Sequence, residues 1–219
     1  MDRYLNREDA GRVLAQALSD YAKLPNILVL ALPRGGVPVA YEIALALKIP
    51  LDVYVVRKLG VPGHEELAMG AIAMDGSMVL NDGVIRDLRI SPEAIKRVTQ
   101  AEKMELERRV QLFRGNQPQP EIKNKIIILV DDGIATGATM RAAIAAIRKS
   151  QPEKIILAVP VAEKVTCEKM SELVDEMICP LKPVYFNAVG AWYENFEQTS
   201  SEEVCELLEK SCHWTRRSN

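Results

Sequence analysis

Two adjacent carboxylates, Asp131 and Asp132, stand where the chain could bind a polar ligand. They follow five apolar residues, 126–130, which predict a strand buried on both faces of a parallel sheet. The loop that follows combines small residues with hydroxyls and leads into an Ala-rich helix: Gly133, Ala135, Thr136, Gly137, Ala138 and Thr139. Such a loop is typical of a phosphate site, because its backbone N–H groups can approach an anion closely. Paired carboxylates need a cationic or hydroxyl-bearing partner, so a sugar with a phosphate and a vicinal diol fits both halves of the stretch.

Other interpretations of this stretch are a purely structural strand–turn–helix and a different class of phosphate site. No lysine follows the second glycine as a P-loop requires, and the glycine spacing is not that of a dinucleotide-binding fold. The register of both carboxylates, both glycines and both threonines favours the sugar-phosphate interpretation over a structural turn.

The stretch resembles the signature of the type I phosphoribosyltransferases, which bind phosphoribosyl pyrophosphate (PRPP). The resemblance implies that Asp131 and Asp132 contact the ribose hydroxyls and that Ala135 to Thr139 cradle the 5′-phosphate. It covers about residues 10–196. It is strongest toward a subgroup without an assigned acceptor that has a Pro-Arg-Gly-Gly loop and a Leu-Ala-Met-Gly-Ala-Ile hairpin.

A second strand–loop–helix unit offers another anion site. Arg34, Gly35 and Gly36 follow a predicted strand at residues 27–32 and precede a helix predicted for residues 37–48. Arg34 has the forked, permanently charged geometry that suits phosphate. The resemblance implies that this loop binds pyrophosphate. The alternative is that the glycines only permit a sharp turn and that Arg34 is solvated.

Arg57 and Lys58 end a second predicted strand, residues 53–56, and precede a segment rich in glycine and proline. We expect residues 59–66 to be a mobile lid and residues 67–80 to form a β-hairpin with a two-residue turn. The resemblance implies that this region is the family's flexible hood, whose basic residues cover the pyrophosphate and exclude water. An ordinary solvated loop is the alternative.

The reaction implied by the resemblance displaces pyrophosphate from the anomeric carbon through a transition state with oxocarbenium character. Arg34, Arg57 and Lys58 would neutralise the leaving group together with Mg²⁺. Ionised Asp131 and Asp132 would stabilise the positive charge on the ribose. We expect Mg²⁺ to be held mainly by substrate oxygens and water, with no direct protein ligand set.

A general acid or base for the acceptor is harder to place. The aspartate that serves hypoxanthine- and guanine-type members is replaced here by Ala135. Adenine-type members also have alanine there and carry a glutamate in the flexible loop, which points to Glu65, with Glu66 or His64 as alternates. The resemblance therefore favours a purine-like acceptor.

An aromatic-rich segment follows the last predicted strand, residues 183–189. Five of the eleven aromatic residues lie between Tyr185 and Phe196. In the resembled family this segment helps to cover the nucleobase, so that Trp192 or Tyr193 would stack on a heterocycle. Alternatively, Trp192 and Phe196 pin the C-terminal helix to the sheet.

The elements that must position these residues alternate between strand and helix, which predicts an α/β fold with a central parallel sheet and helices on both faces. The remaining predicted elements are helices at 6–20, 91–115, 139–149, 164–174 and 201–208 and a strand at 155–159. The charged helix 91–115 is interpreted as solvated and packed on one side, with a dimer contact as the alternative. Ligand loops should meet at the carboxyl ends of the strands.

Length and composition predict a single domain over residues 1–219, with a flexible loop and hairpin at 57–80 and a C-terminal hood and helix at 190–219. The 30 acidic and 28 basic residues nearly cancel, which argues against nucleic-acid or anionic-membrane partners. Four cysteines without metal-like spacing argue against structural zinc and indicate a reducing compartment. The charged N-terminus is unlike a signal peptide, and no apolar run has transmembrane length. We therefore expect a cytoplasmic protein.

The predicted function is Mg²⁺-dependent transfer of the 5-phosphoribosyl group from PRPP to a nitrogenous base in nucleotide metabolism. The resemblance alone implies a homodimer. The alternative is a non-catalytic regulator or sensor that binds PRPP or a nucleotide on the same fold. The basic loop with Glu65 favours the enzyme, because a sensor has no need of a hood that excludes water.

Overall fold

A five-stranded parallel sheet forms the centre of the computed structural model, which describes residues 3–215 except for the side chains of Lys23, Glu66 and residues 213–215. Its spatial order is β2-β1-β6-β7-β8, with β1 at Ile27–Ala31, β2 at Leu51–Val53, β6 at Ile126–Val130, β7 at Lys154–Ala158 and β8 at Glu176–Ile178. Strands β1 and β6 are buried at all five positions, as their continuous apolar runs predict. Ala31 lies beside Val130, so the loops that follow these two strands start at the same edge.

The described part of the chain contains seven α-helices: α1 (Arg7–Ala17), α2 (Gly36–Leu47), α3 (Asp82–Asp87), α4 (Pro92–Arg114), α5 (Ala138–Lys149), α6 (Lys164–Ser171) and α7 (Ser201–Thr215). Two of these helices begin at capping side chains. The Asn6 side chain accepts a hydrogen bond from the Asp9 backbone N–H at 2.9 Å, and Ser91 accepts one from that of Ala94 at 3.2 Å. None of these described helices combines the length and apolarity needed to cross a bilayer.

A second, antiparallel sheet packs beside the first and consists of β3 (Val56–Val61), β4 (His64–Ala73) and β5 (Met78–Leu80). The prediction of an irregular loop over residues 59–66 is wrong. Pro62 and Gly63 form a tight turn between two strands, Gly60 lies within β3 at a shift of register, and Leu59 and Val61 are buried in the core. The predicted hairpin over residues 67–80 is present, with a connection longer than two residues between β4 and β5.

Two strand boundaries also differ from the predictions. Strand β2 ends at Val53, and Val56 begins the antiparallel sheet instead. The last strand of the parallel sheet is β8, whereas residues 183–189 form no strand. Pro183 lacks a backbone donor and Tyr185 is almost fully exposed, so this segment has neither the hydrogen bonds nor the burial of a sheet strand. The last helix, by contrast, continues to Thr215.

One hydrophobic core joins both sheets. Leu59, Met69 and Ile72 of the small sheet belong to the same cluster of buried residues as Ile128 and Leu157 of the parallel sheet. The small sheet is therefore anchored to the body by apolar packing, which places its strands next to the carboxyl ends of the parallel strands.

Candidate functional site

The loop between β6 and α5 encloses a small cavity of about 150 Å³, lined by Asp131 and by the residues from Gly133 to Met140. Gly137 precedes the helix with a left-handed φ of 73°. A Cβ atom there would lie 2.2 Å from the methyl carbon of Met170, so glycine is required by both conformation and space. Because the N-terminus of α5 carries a partial positive charge, the cavity suits an anion such as phosphate.

Helix α6 supports this loop from behind. The Thr166 hydroxyl donates to the carbonyl of Ala135 at 3.5 Å, and Ile134 donates its N–H to Val161 at 2.9 Å. Together with Met170, these contacts fix the backbone of the cradle. The sequence interpretation missed this role of α6, since no local pattern shows which helix packs under a loop.

The two carboxylates have different hydrogen-bond partners. Asp131 lines the cavity and accepts a hydrogen bond from the backbone N–H of Asp132 at 2.9 Å. Asp132 lies against Gly35, where a Cβ atom would be only 2.0 Å from its Oδ2, and accepts a hydrogen bond from Arg7 Nε at 2.8 Å. Gly35 is therefore needed for the close approach of the first loop to the acid pair.

Burial dominates the electrostatics of this pair. Burial, and then the charge of Asp132, raise the pKa of Asp131 well above its usual value. Burial also raises the pKa of Asp132, and the Arg7 guanidinium opposes that increase. Ligand hydroxyls or positive charge at this site would therefore favour ionisation of the pair.

Arg7 is a site residue that the sequence interpretation missed. Besides Asp132, its Nη1 donates to the carbonyl of Glu197 at 2.6 Å, and its guanidinium lies 3.9 Å from the centre of the Phe196 ring. In the sequence, Arg7 is one charged residue among several at a helix start. Its partners lie more than a hundred residues away, so no local signal could identify them.

The Pro33–Gly36 loop packs directly on the end of β6. A Cβ atom at Gly36 would lie 2.8 Å from the carbonyl oxygen of Val130. The peptide bond between Pro33 and Arg34 is cis, and Arg34 is half-buried. The structure thus brings the predicted pyrophosphate loop and the predicted ribose site into contact.

A cleft of about 590 Å³ connects these loops with the small sheet and with α4. It is lined by Pro33, Arg57, Lys58, Glu65, Glu102, Arg109 and Thr139, among others. Arg57 is ion-paired with Glu102 of α4 at 2.6 Å. Helix α4, which the sequence interpretation treated as a solvated helix, therefore contributes charged side chains to the cleft.

The three candidates for a general acid or base lie at the start of β4. Glu65 is exposed and lines the cleft, and His64 is also exposed. The side chain of Glu66 falls outside the described part of the structure. The roles of these residues stay predictions.

A second cleft, of about 770 Å³, lies between the small sheet and α5. Its wall is mostly apolar and includes Leu67, Ala71, Leu80, Ala142 and Ala145, while Lys58, Thr136, Thr139 and Arg141 provide polar groups. This cleft supplies apolar surface next to the phosphate cradle.

Tyr193 occupies a different environment from the one predicted. Its ring is buried between Tyr4 and Phe196, with ring centroids 5.5 and 4.9 Å away, and its hydroxyl donates to the backbone carbonyl of Asp132. The prediction that Tyr193 stacks on a base is corrected, because both ring faces are already covered by protein. Trp192 is half-buried and packs against the same aromatic cluster.

No group of three or more His, Cys, Asp or Glu side chains suited to a metal occurs among residues 3–215 as far as their side chains are described. The predicted mode of Mg²⁺ binding, through phosphate oxygens and water, needs no such group and stays a prediction.

Comparison with known proteins identifies the family. A model described as "Phosphoribosyl transferase domain" matches residues 2–194. Proteins of Mycobacterium tuberculosis strains CDC 1551 / Oshkosh and H37Rv, each named "Putative phosphoribosyl transferase", are 44% identical over 211 residues. These matches cover 96% of this chain and 47% of each relative, so the chain spans about half the length of the curated relatives it matches.

A solved structure shares the fold of this chain. The crystal structure of the protein TT1426 from Thermus thermophilus is 36% identical and covers 95% of this chain and 98% of its own, with a TM-score of 0.85. The sequence-based identification of the family and the predicted α/β fold with a central parallel sheet are confirmed: the chain belongs to the phosphoribosyl transferase domain family.

Proposed function

We propose that this protein transfers the 5-phosphoribosyl group of PRPP to a nitrogenous base and releases pyrophosphate. The observation that carries the proposal is the continuity of the two anion sites. Thr139 lines both the phosphate cradle beside Asp131 and the cleft that contains Arg57 and Lys58. A ligand with one phosphate on C5 and two on C1 of a ribose matches this arrangement.

The acid pair would act on the ribose. Asp131 and Asp132 accept hydrogen bonds from the 2′- and 3′-hydroxyls and orient the ring above the loop. As positive charge develops on the ribose, the nearby carboxylates stabilise it, and their burial strengthens the interaction. The backbone of residues Gly133, Ala135, Thr136, Gly137, Ala138 and Thr139 holds the 5′-phosphate.

The leaving group would be bound by Arg34, Gly35, Gly36, Arg57 and Lys58. Their charges and N–H groups stabilise the negative charge that pyrophosphate gains as the glycosidic bond breaks. Mg²⁺ bound with PRPP would further neutralise the phosphate oxygens.

Glu65 is proposed to exchange a proton with the acceptor, since it is a carboxylate on the edge of the cleft. We expect Glu65→Gln to reduce pyrophosphate release while leaving PRPP affinity unchanged, and Glu107→Gln, on the exposed side of α4, to change neither. Unchanged turnover in Glu65→Gln would transfer the role to His64 or Glu66, which the corresponding variants would test.

A purine-like acceptor is favoured by the adenine-type features of the loop. Because Tyr193 is enclosed, the surfaces proposed for the base are Trp192 and the apolar wall beside α5. Replacement of Trp192 by alanine should raise KM for the base and leave the Kd of PRPP unchanged. A homodimer and a cytoplasmic location are part of the proposal, and analytical ultracentrifugation would test the former.

Calorimetric titration with PRPP, with and without Mg²⁺, tests the proposal directly. We expect metal-dependent binding that is lost when Asp131 and Asp132 are replaced by asparagine, followed by pyrophosphate release with one member of a panel of purines and pyrimidines. Binding without turnover for any base would favour the sensor function. No PRPP binding in either condition would refute the site assignment.

A further inference from the structure

Arg7 links three parts of the molecule at the ribose end of the site. It leaves the first turn of α1, forms an ion pair with Asp132, donates to the Glu197 carbonyl and covers the Phe196 ring. Its side chain is 11% exposed and that of Asp132 is 15% exposed. The ion pair is thus largely shielded from water, and two shielded charges interact more strongly than two charges at the surface.

The guanidinium geometry uses separate N–H groups for separate partners. Nε faces the Asp132 carboxylate and Nη1 faces the Glu197 carbonyl, while the flat face rests on Phe196. A lysine ammonium could supply the charge but could not reproduce the planar fork and the stacking. The same C-terminal segment is tied to Asp132 a second time, through the Tyr193 hydroxyl and the Asp132 carbonyl.

We propose that Arg7 is a positioning residue of the ribose site, which fixes the Asp132 carboxylate in its ionised form and couples it to the segment around Phe196. This inference rests on the proposed function, because it gives Arg7 a part in PRPP binding. Arg7 lies on the protein side of Asp132, so it acts through that carboxylate and is not itself assigned a contact with substrate.

The other titratable groups at this point are Asp131 on the same loop, Tyr193 from the C-terminal segment and Tyr4 from the N-terminal segment. Burial raises the pKa of both tyrosines, so they stay neutral hydrogen-bonding groups. Arg7 is therefore the cation that opposes the burial of Asp132, and its loss should raise the pKa of that carboxyl further.

The test compares Arg7→Met and Arg7→Lys with Arg12→Met, a matched control on the exposed face of α1 whose guanidinium is 3.8 Å from Glu42. The Kd of PRPP with Mg²⁺ is measured over a pH range that extends down to the ordinary pKa of an aspartate, and it is divided by the wild-type value at each pH, which cancels ionisation of the ligand. For Arg7→Met we expect a loss of affinity that is largest at the acid end of this range and shrinks as pH rises, because the Asp132 carboxyl then takes up a proton more readily.

The ratio of the Kd of Arg7→Lys to that of the wild type should not change with pH, because lysine restores the positive charge. The same ratio for Arg12→Met should stay near one. A pH-independent ratio for Arg7→Met, with or without a loss of affinity, would overturn the proposal. That result would mean that the ion pair does not govern the charge of Asp132.

A double-mutant cycle in urea unfolding keeps the inference testable independently of PRPP. If Arg7→Met is unstable because it leaves Asp132 buried and uncompensated, then adding Asp132→Asn should restore stability. Additive effects of the two substitutions would overturn the proposed pairing. Failure of the wild-type protein to bind PRPP would instead refute the proposed function, while this cycle would still decide the role of Arg7.

Discussion

Glu102→Gln is expected to tighten the binding of PRPP. In the structure Glu102 accepts hydrogen bonds from Arg57, with a shortest separation of 2.6 Å, inside the cleft proposed for pyrophosphate. A phosphate that recruits Arg57 must compete with this carboxylate. Glutamine keeps the size of the side chain and removes its charge, so less free energy is needed to separate Arg57 from residue 102 when a phosphate binds.

The magnitude follows from the exposure of the pair. The side chains of Arg57 and Glu102 are 27% and 26% exposed, which makes the pair close to a surface ion pair. Such pairs contribute up to about 1 kcal/mol, so full separation on binding would correspond to an affinity gain of about fivefold. The gain should shrink at high salt, since partly exposed charges are screened.

The assay is calorimetric titration with PRPP and, separately, with inorganic pyrophosphate, both with Mg²⁺. Glu107→Gln on the same helix is the control, because Glu107 is exposed and pairs only loosely with Lys103, at 3.8 Å. Equal affinities for wild type and Glu102→Gln would show that Arg57 stays paired when the ligand is bound. Weaker binding would show that Glu102 itself contributes to the site, and either result would refute this reasoning.

Three further predictions concern stability. Burial raises the pKa of Asp131 in the folded state, so this group stabilises the protein at acid pH, and the stabilisation is lost as pH rises through the folded pKa. Asp131→Asn should therefore unfold at a higher urea concentration than the wild type at pH 8. Equal midpoints of unfolding would contradict this prediction. Gly137→Ala should lower the free energy of unfolding by about 1–2 kcal/mol, because alanine is strained at the left-handed φ of this position. This loss comes from the backbone and not from the contact with Met170, so Met170→Ala in the same protein should not recover it. Tyr193→Phe should cost about 1 kcal/mol in the same assay by removing the hydrogen bond to the Asp132 carbonyl; no change would show that water replaces the hydroxyl.

The parts of the fold that the sequence predicted well depend on near neighbours along the chain. The buried run of β6, the small residues before α5 and the start of α4 after Ser91 each have their cause within a few positions. Such features follow from local burial, backbone freedom and capping, so a short window of sequence is sufficient to recognise them.

The parts that were missed depend on partners far along the chain. Arg7 and Asp132 are 125 positions apart, and Tyr193 is enclosed by Tyr4 from the opposite end. Neither contact leaves a periodic pattern in the sequence. The β3–β4 hairpin was missed for a different reason, because Pro62 and Gly63 made an eight-residue stretch look irregular although they form only its turn.

The pairing of the first described residues with the segment near residue 193 has a consequence for the order in which the molecule assembles. Tyr4 donates its N–H to Trp192, and Glu194 and Asn195 donate theirs to Tyr4 and Leu5. During synthesis Tyr4 and Leu5 emerge long before residues 192–195, with which they pair. A nascent chain can therefore build the parallel strands and the phosphate loop while Asp132 still lacks its contact with Tyr193, and we expect competence for ribose binding to arise only after residues 192–195 have emerged.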